Sequence, residues 1–537
     1  MVRRSEFTIV AAALSGAALL TWTLTAPVDL DPLWRWTAPR RGWESVAAHT
    51  MATLTFPPFL YAMALLIALW ASRRRLSALA GATVLAVTLA ASLAQLFAYF
   101  IAAAPVSAPW RALAADAYPS PRVTAAVTLG MTVVTIVVAT RRRGGLVAAW
   151  TAASTLLVAA VAANGLYLSA SRPTGVIGAV LLGAFAWSLA GLLADVHLLR
   201  PLTPGSGAGR AAVIYNPTKV RDLGLLRRTV DGTLADEGWR PALWLETRAD
   251  DPGPGMAEAA RGAGVDLVLV AGGDGTVRSV CGALVGADAT VGLLPLGTGN
   301  LLARNLGIPL DLQRALELAL TGVPGPLDLV RVTDLDDGSQ SFAAVMAGLG
   351  ADAAVLQDAD ENLKNQLGPV AYLVAGLSHI RATPVPVRVT VDDSEPIERD
   401  ASLVEVGNVG DLQAGVSLMP HASASDGLLD LLIASPRHVA DVAQMMAGVL
   451  THSTYEPLLD RVRGHRAVVE AARPVLFQID GDVVGEVLRV QFDVVPGAVR
   501  VVVPPRAAGA GGGTAVAQPP RLATHSAAAS NSSSVEP

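Results

Sequence analysis

The chain has 537 residues, enough for about three domains, and 52% of them are hydrophobic, which is too many for a purely soluble protein. Its net charge of −5 and its lack of a basic cluster with interleaved aromatic residues argue against a nucleic-acid partner. The single cysteine, Cys281, excludes an internal disulfide bond and a cysteine-based metal site.

The apolar residues are concentrated in the first 200 positions, which predict a six-helix transmembrane domain over residues 1–200. Arginine clusters at 3–4, 73–75 and 141–143 fall on one side when the spans are counted, and the positive-inside rule assigns that side to the cytoplasm. We therefore expect a multi-pass protein of the cell membrane. The predicted spans lie at roughly 7–26, 48–72, 77–103, 122–140, 146–168 and 175–199.

Two motifs in this half resemble those of the type-2 phosphatidic acid phosphatase family. Tyr118-Pro119-Ser120-Pro121-Arg122 stands at that family's Pro-Ser-Gly-His motif, with Arg122 in place of the histidine. In the second motif Ser171 replaces the histidine and Gly175 the aspartate. A phosphohistidine mechanism needs an imidazole nucleophile, a second imidazole and an orienting carboxylate, so we expect no hydrolysis here. A plain six-helix anchor with a coincidental pattern is the alternative.

Residues 201–210 are rich in proline and small residues and predict a linker. From 211 to 328 the predicted strands alternate with predicted helices, which is typical of βαβ units in a parallel α/β sheet. The predicted elements are strands at Ala211–Tyr215 and Ala242–Thr247 and helices near 220–236 and 254–263.

Two apolar strands in this region each run into a glycine turn, one within Val265–Val277 and the other within Val291–Leu302. Turns at successive strand ends lie side by side at the edge of a parallel sheet, where α/β folds bind ligands. The glycines allow positive φ angles and a close approach to a ligand, and amides at a helix start converge on phosphate. Asp274 would face a Mg²⁺ carried by a nucleotide, or would hold the loop through backbone N–H groups.

These motifs resemble the diacylglycerol kinase catalytic family, which includes sphingosine and ceramide kinases. The matching stretches are Gly272-Gly273-Asp274-Gly275-Thr276, Pro295-Leu296-Gly297-Thr298-Gly299-Asn300, Leu302-Ala303-Arg304-Asn305 and Asn216-Pro217-Thr218-Lys219. The resemblance covers residues 208–505 and implies that residues 211–328 bind ATP. The ATP-binding residues that it implies are Asn216, Pro217, Thr218, Thr247, Gly272, Gly273, Asp274, Gly275, Thr276, Gly297, Thr298 and Asn300. Thr247 is equally well explained as a threonine that starts a turn.

Residues 329–505 contain many short strand patterns, which predict an antiparallel β-sandwich, the second domain of the family. Predicted strands include Leu428–Ile433 and Val499–Val503, and a helix is expected over Lys364–Leu377. The resemblance implies that this domain binds the lipid and a metal ion.

Two acidic motifs in the β-rich part carry candidate chemistry. Asp426 resembles a ligand of the family's structural Mg²⁺ loop, with backbone oxygens of Ser423 and Leu428 contributing, although Asp-Gly is also a turn signal. Asp480-Gly481-Asp482 matches the family's Asp-Gly-Glu, so we assign Asp482 as the base and Asp480 as its support. A solvated β-turn is the alternative.

The low-complexity residues 506–537 predict a disordered tail. The whole pattern predicts a membrane-tethered lipid kinase with its kinase half in the cytoplasm. It would use ATP and Mg²⁺ to phosphorylate a membrane lipid, and diacylglycerol is the substrate that we expect. The alternatives are a sphingoid or other lipid kinase, an NAD kinase-like enzyme and a non-catalytic lipid- or nucleotide-binding membrane protein. A homodimer is one option for its assembly.

Overall fold

A computed structural model describes residues 4–25, 42–102, 118–140, 144–194, 196, 209–350, 384–411, 418–435, 441 and 459–505. The chain divides into two units, Met1–Pro504 and Pro505–Pro537, and the architecture below is that of the first. The predicted tail at 506–537, the predicted helix at Lys364–Leu377 and most of the predicted linker lie outside the described residues.

Apolar helices form the N-terminal part. Four of them, those that begin at Ser77, Pro121, Gly144 and Pro173, are long and apolar enough to cross a membrane. The bent pair Trp43–Leu54 and Pro57–Arg73 makes a fifth span if the two helices count as one. Within α1 the apolar stretch Ala11–Thr23 is shorter. The helices are α1 (Arg4–Thr25), α2 (Trp43–Leu54), α3 (Pro57–Arg73), α4 (Ser77–Ala102), α5 (Pro121–Ala139), α6 (Gly144–Tyr167) and α7 (Pro173–Leu193).

The apolar segment predicted at 48–72 forms two helices, α2 and α3, which meet at an angle of 45° and pass as a membrane span only when they are taken together. The break falls at Thr55 and Phe56, just before Pro57 and Pro58. A proline inside a helix removes a backbone donor and clashes with the preceding turn, whereas a proline in the first turn of a helix is tolerated.

The two motifs that resemble the phosphatase family lie together. The hydroxyl oxygens of Ser120 and Ser171 are 2.8 Å apart and buried, and the N–H of Ser120 donates to the carbonyl of Gly175 at 3.0 Å. A Cβ on Gly165 would lie 2.9 Å from the Ser171 hydroxyl oxygen. A hydrogen bond between two side-chain hydroxyl groups therefore joins the two motifs. The absence of hydrolysis stays a prediction.

The predicted kinase half, residues 211–505, begins with the predicted parallel sheet. Its first four strands lie in the order β2, β1, β3, β4. Strands β1 and β3 are buried along their whole length because helices cover both faces of the sheet. The elements are β1 (Ala211–Tyr215), α8 (Leu223–Asp236), β2 (Leu243–Glu246), α9 (Pro254–Gly262), β3 (Leu267–Gly272), α10 (Asp274–Ala283), β4 (Thr290–Pro295), α11 (Leu301–Asn305) and α12 (Leu312–Thr321).

The following strands pair mainly antiparallel and give the β-rich part that the pattern predicts. The last strand departs from that prediction. Arg500 and Val501 of this long strand pair in parallel with Thr290 and Val291 of β4, so Val499–Val503 closes the α/β sheet instead of standing within a separate sandwich. The strands are β5 (Val323–Asp334), β6 (Gln340–Ala343), β7 (Met346–Gly350), β8 (Val385–Val391), β9 (Ile397–Ala401), β10 (Leu403–Gly407), β11 (Leu429–Ala434), β12 (Leu459–Gly464), β13 (Arg466–Ile479) and β14 (Asp482–Val503).

The N-terminal helices dock on the kinase half through the short connection between α3 and α4. One carboxylate, that of Asp311, accepts hydrogen bonds from the first residues of two helices. Its Oδ1 accepts from the N–H groups of Gln313 and Arg314 at the start of α12, at 3.1 and 3.2 Å. Its Oδ2 accepts from the Ser77 hydroxyl and the Ala78 N–H at the start of α4, at 3.3 and 3.2 Å. Asp311 is buried, so it ties the two halves together away from bulk water.

We expect Asp311→Ala to lower the thermal midpoint of the full-length protein in detergent, because each lost cap costs about 1 kcal/mol. Asp311→Asn keeps one acceptor oxygen and should lose about half as much. Differential scanning fluorimetry measures both, with Asp400→Ala on the exposed edge of β9 as a control that stays at the wild-type midpoint. Equal midpoints for Asp311→Ala and the control would contradict the double cap.

Candidate active site

The two glycine loops are in direct contact at the carboxyl edge of the parallel sheet. Strands β3 and β4 stay paired up to Gly272 and Pro295. The N–H groups of Leu296 and Gly297 then both donate to the carbonyl of Gly272, at 3.0 and 3.1 Å. A Cβ on Gly297 would lie 2.6 Å from the Cα of Gly273, so a side chain there would force the two backbones apart. The loops therefore lie side by side, as the strand pattern predicts.

The glycines provide this close approach and not a left-handed backbone. Gly273 has a φ of −96°, and Gly272 and Gly275 are not among the described residues with positive φ, so the expectation of positive φ in the first loop is wrong. The left-handed residue is Asn300, with φ 49° and ψ 47° just before α11. Its side-chain amide donates to the carbonyl of Gly297 at 2.9 Å. Asparagine tolerates this backbone better than most residues, so Asn300 shapes the second loop.

Asp274 joins the first loop to the second. Burial raises the pKa of Asp274, and the backbone N–H groups of Leu301, Leu302 and Asn300, which its carboxylate faces, oppose part of that rise. A carboxylate is favoured at a helix start, where backbone donors lack partners. Of the two roles that the sequence left open, the contacts are those of a residue that holds the loop.

The residues after β1 connect to the first glycine loop. The side-chain amide of Asn216 donates to the Thr276 hydroxyl at 3.2 Å. Its Oδ1 accepts from the N–H and the hydroxyl of Thr218, at 3.0 and 2.8 Å. Pro217 and Thr218 are exposed, while Thr276 is buried. Asn216 therefore fixes the turn and leaves Pro217 and Thr218 at the surface of the site.

Thr247 and Thr298 complete the predicted nucleotide-binding set. Thr247 is buried, and its N–H donates to the carbonyl of Tyr215 at 2.9 Å, which extends the pairing of β1 and β2. Thr298 is exposed and lines a cavity of about 310 Å³ together with Thr218. The predicted residues thus lie on loops that follow β1 to β4.

Asp482 is placed over the first glycine loop by the turn between β13 and β14. Its side chain is 58% exposed, and its Oδ2 accepts from Nη2 of Arg278 at 3.0 Å. A Cβ on Gly275 would lie 2.8 Å from the same oxygen. Arg278 also donates to the carbonyl of Ile479, so this arginine links α10 to the turn through two hydrogen bonds. An exposed carboxylate therefore lies where the loop meets solvent, as a base needs.

Asp480 is buried and bound to backbone. Its carboxylate accepts from the N–H groups of Ala344, Val345 and Met346, at 2.9, 2.8 and 3.0 Å. Burial raises the pKa of Asp480 to about 6, although the positive charge of Arg278 and the three hydrogen bonds act to lower it. Its support for Asp482 is therefore positional, because it anchors the turn to the segment that leads into β7.

Arg278 and Arg75 are contacts of this site that the sequence analysis missed. Arg278 follows Asp274 by four residues on α10, so helical spacing alone places it one turn further along the same face. Arg75 donates to the carbonyl of Gly297, 222 residues away in the chain. No local pattern predicts such a contact.

The predicted metal loop is held together by an arginine. Asp426 pairs with Arg463 and accepts from the N–H of Leu428 at 3.1 Å, and Arg463 also pairs with Asp430 at 3.1 Å. Within the part of the chain that the structure describes, no three His, Cys, Asp or Glu side chains are grouped to hold a metal. Oδ2 of Asp430 is buried without a hydrogen-bond partner among the described residues. One such oxygen, on a carboxylate that interacts electrostatically with Asp426, is compatible with an oxygen-coordinated cation.

Comparisons with known proteins match both parts of the kinase half. Residues 210–332 match the family model described as "Diacylglycerol kinase catalytic domain", and residues 343–503 match "YegS C-terminal NAD kinase beta sandwich-like domain". A "Probable lipid kinase YegS-like" of Stenotrophomonas maltophilia is 32% identical over 251 residues, 45% of this chain and 80% of that protein. A "Diacylglycerol kinase" of Mycobacterium tuberculosis is 32% identical over 253 residues, 46% of this chain and 80% of that protein.

The fold and the site define a nucleotide-dependent kinase, in which a β-rich part brings an acidic turn to the glycine loops of a parallel sheet. The chain belongs to the diacylglycerol kinase and YegS lipid kinase family, which confirms the resemblance carried by the glycine motifs. It is an ATP-dependent lipid kinase of that family.

We expect Gly297→Ala to destabilise the protein by about 1–3 kcal/mol, the usual cost of overpacking, because the added Cβ meets backbone at Gly273. Gly262→Ala at the end of α9 is the matched control, since a Cβ there meets nothing within 4 Å. Thermal unfolding in detergent compares the two. The close contact would be disproved if Gly297→Ala unfolded at the temperature of the control.

Proposed function

We propose that this chain transfers the γ-phosphoryl group of ATP to the hydroxyl of a membrane lipid, with diacylglycerol as substrate and phosphatidic acid as product. One observation carries the proposal. The exposed carboxylate of Asp482 lies against Gly275 of the first glycine loop, and that loop is in contact with the second. A base next to a phosphate-binding loop is the arrangement that phosphoryl transfer to a hydroxyl requires.

In this mechanism the glycine loops hold the nucleotide phosphates and Asp482 accepts the proton of the attacking hydroxyl. The lipid oxygen forms a bond to the γ-phosphorus as the bond from that phosphorus to the bridging oxygen breaks and ADP leaves. Arg278 fixes the orientation of Asp482 through a contact of 3.0 Å.

Mg²⁺ would neutralise charge on the nucleotide phosphates when it is bound. Asp274 is not proposed as its direct ligand, because that carboxylate is engaged by three backbone N–H groups. A second, structural Mg²⁺ would be held by Asp426 with the backbone oxygens of Ser423 and Leu428. The buried, unpartnered Oδ2 of Asp430 supports that assignment, while the pairing of Asp426 with Arg463 opposes it.

We also propose that the N-terminal helices tether the kinase half to the cytoplasmic face of the cell membrane. Support comes from the helix ends that contact the kinase half. Arg228 donates to the carbonyl of Thr140 at 3.4 Å, and Arg221 donates to that of Arg73 at 2.9 Å. These contacts lie at or next to the arginine clusters 73–75 and 141–143, which the positive-inside rule assigns to the cytoplasm.

The alternatives differ in what supports them. A sphingoid or other lipid substrate presents the same hydroxyl on an apolar body, so it enters the proposal as a member of the test panel. The non-catalytic alternative is opposed by the exposed carboxylate at the glycine loop, and the NAD kinase-like alternative by the family matches. The proposed reaction is complete within one chain and does not depend on a homodimer.

The test is ATP-dependent phosphorylation of a lipid panel by the full-length protein in mixed micelles. We expect Asp482→Asn to lower kcat at least about 100-fold, because general bases contribute that much or more, while ATP binding persists. Asp482→Glu restores the residue of the family and should remain active. Asp400→Asn is the control for loss of a surface charge.

Two results would count against this proposal. A full rate in Asp482→Asn would remove Asp482 as the base. Wild-type protein that binds ATP but phosphorylates no lipid of the panel would favour the non-catalytic alternative.

A further inference from the structure

The connection between α3 and α4 reaches from the N-terminal helices to the second glycine loop. It forms one wall of the 310 Å³ cavity that Thr218 and Thr298 also line. We call this space the basic cavity, because its polar walls contain five basic residues and one acidic residue; they are Arg73, Arg74, Arg75, Thr218, Lys219, Arg221, Asp222 and Thr298.

Arg75 is held firmly in this wall. Its backbone is left-handed, with φ 61°, and its carbonyl accepts the N–H of Leu312 at 3.1 Å. Its guanidinium donates to the carbonyl of Gly297, one residue before Thr298. The side chain is therefore directed from the N-terminal helices onto the second glycine loop.

The charge of Arg75 is not balanced by an acidic partner. Its neighbour Arg74 pairs with Asp222. Among the described residues, Arg75, Arg221 and Arg304 form no ion pair and donate only to backbone carbonyls, those of Gly297, Arg73 and Gly299. Burial lowers the pKa of Arg75, and the nearby positive charges of Arg221 and Arg304 lower it further.

We propose that Arg75 is a phosphate-binding residue that the N-terminal helices supply to the nucleotide site. A guanidinium binds phosphate oxygens through two parallel hydrogen bonds, and an anion in the basic cavity would relieve the repulsion among the three arginines. The proposal rests on the proposed function, because it places ATP at the two glycine loops. It follows that the kinase half binds ATP at full affinity only while the N-terminal helices stay docked.

Phosphate oxygens could come from the nucleotide or from an anionic lipid headgroup. The position of Arg75 favours the nucleotide, because its contact is with Gly297, which is also in contact with the first glycine loop. A headgroup would need no contact with that loop.

The experiment is calorimetric titration of the full-length protein in detergent with ATP and with adenosine, which lacks phosphates. We expect Arg75→Ala to weaken ATP binding about tenfold, the effect of losing one charged hydrogen bond, and to leave adenosine binding unchanged. Arg75→Lys should recover part of the loss. Arg388→Ala, on exposed β8, is the control for loss of a surface arginine.

Three results would overturn the inference while leaving the proposed function standing. The first is wild-type ATP affinity in Arg75→Ala. The second is an equal loss for ATP and adenosine, which would give Arg75 only a docking role. The third is unchanged ATP affinity with reduced binding to vesicles of phosphatidylglycerol and phosphatidylcholine, which would assign the cavity to lipid headgroups. A wild-type protein that binds no ATP would overturn both proposals.

Discussion

The contact between Gly273 and Gly297 is the constraint on which the active site depends. The two backbones can approach this closely because Gly297 has no Cβ, which would lie 2.6 Å from the Cα of Gly273. With the loops in contact, Asp274 at the start of α10 reaches the backbone N–H groups that begin α11. The same carboxylate would otherwise repel a phosphate. Facing these backbone donors, it lies between the two loops and leaves other amides for the ligand.

The acidic turn illustrates how two neighbouring carboxylates acquire different roles from their surroundings. Asp480 is buried, accepts three backbone N–H groups and takes a left-handed φ of 50°. Asp482 is exposed, pairs with Arg278 and lies against Gly275. The buried carboxylate fixes the turn, and the fixed turn sets how far the shorter side chain of Asp482 must reach. Asp482 has one methylene fewer than the glutamate of the family. Whether its carboxylate reaches the attacking hydroxyl therefore depends on the position of the turn as much as on the length of the side chain.

The sequence predicts the local parts of this protein well and the distant contacts poorly. Strands such as Ala211–Tyr215 and the two glycine turns are visible because buried parallel strands and turns have local signatures. The parallel pairing within Val499–Val503 is not, since β14 is one long strand that pairs with three others, β13, β4 and β5. Periodicity likewise cannot show that Asp274 faces backbone donors. Nor can it show a contact such as that of Arg75 with Gly297, which depends on how two separately patterned halves dock.

The cluster Arg73–Arg75 shows how arginines that indicate the orientation of membrane helices can also lie next to the candidate active site. Positive charge marks the cytoplasmic ends of membrane helices, and a kinase half fused to such helices must dock on those same ends. Part of that charge is neutralised at the contact, as Arg74 is by Asp222. Charge that is not neutralised there faces the nucleotide loops. Under the two proposals made above, this one short segment would contribute both to tethering at the membrane and to the binding of phosphate.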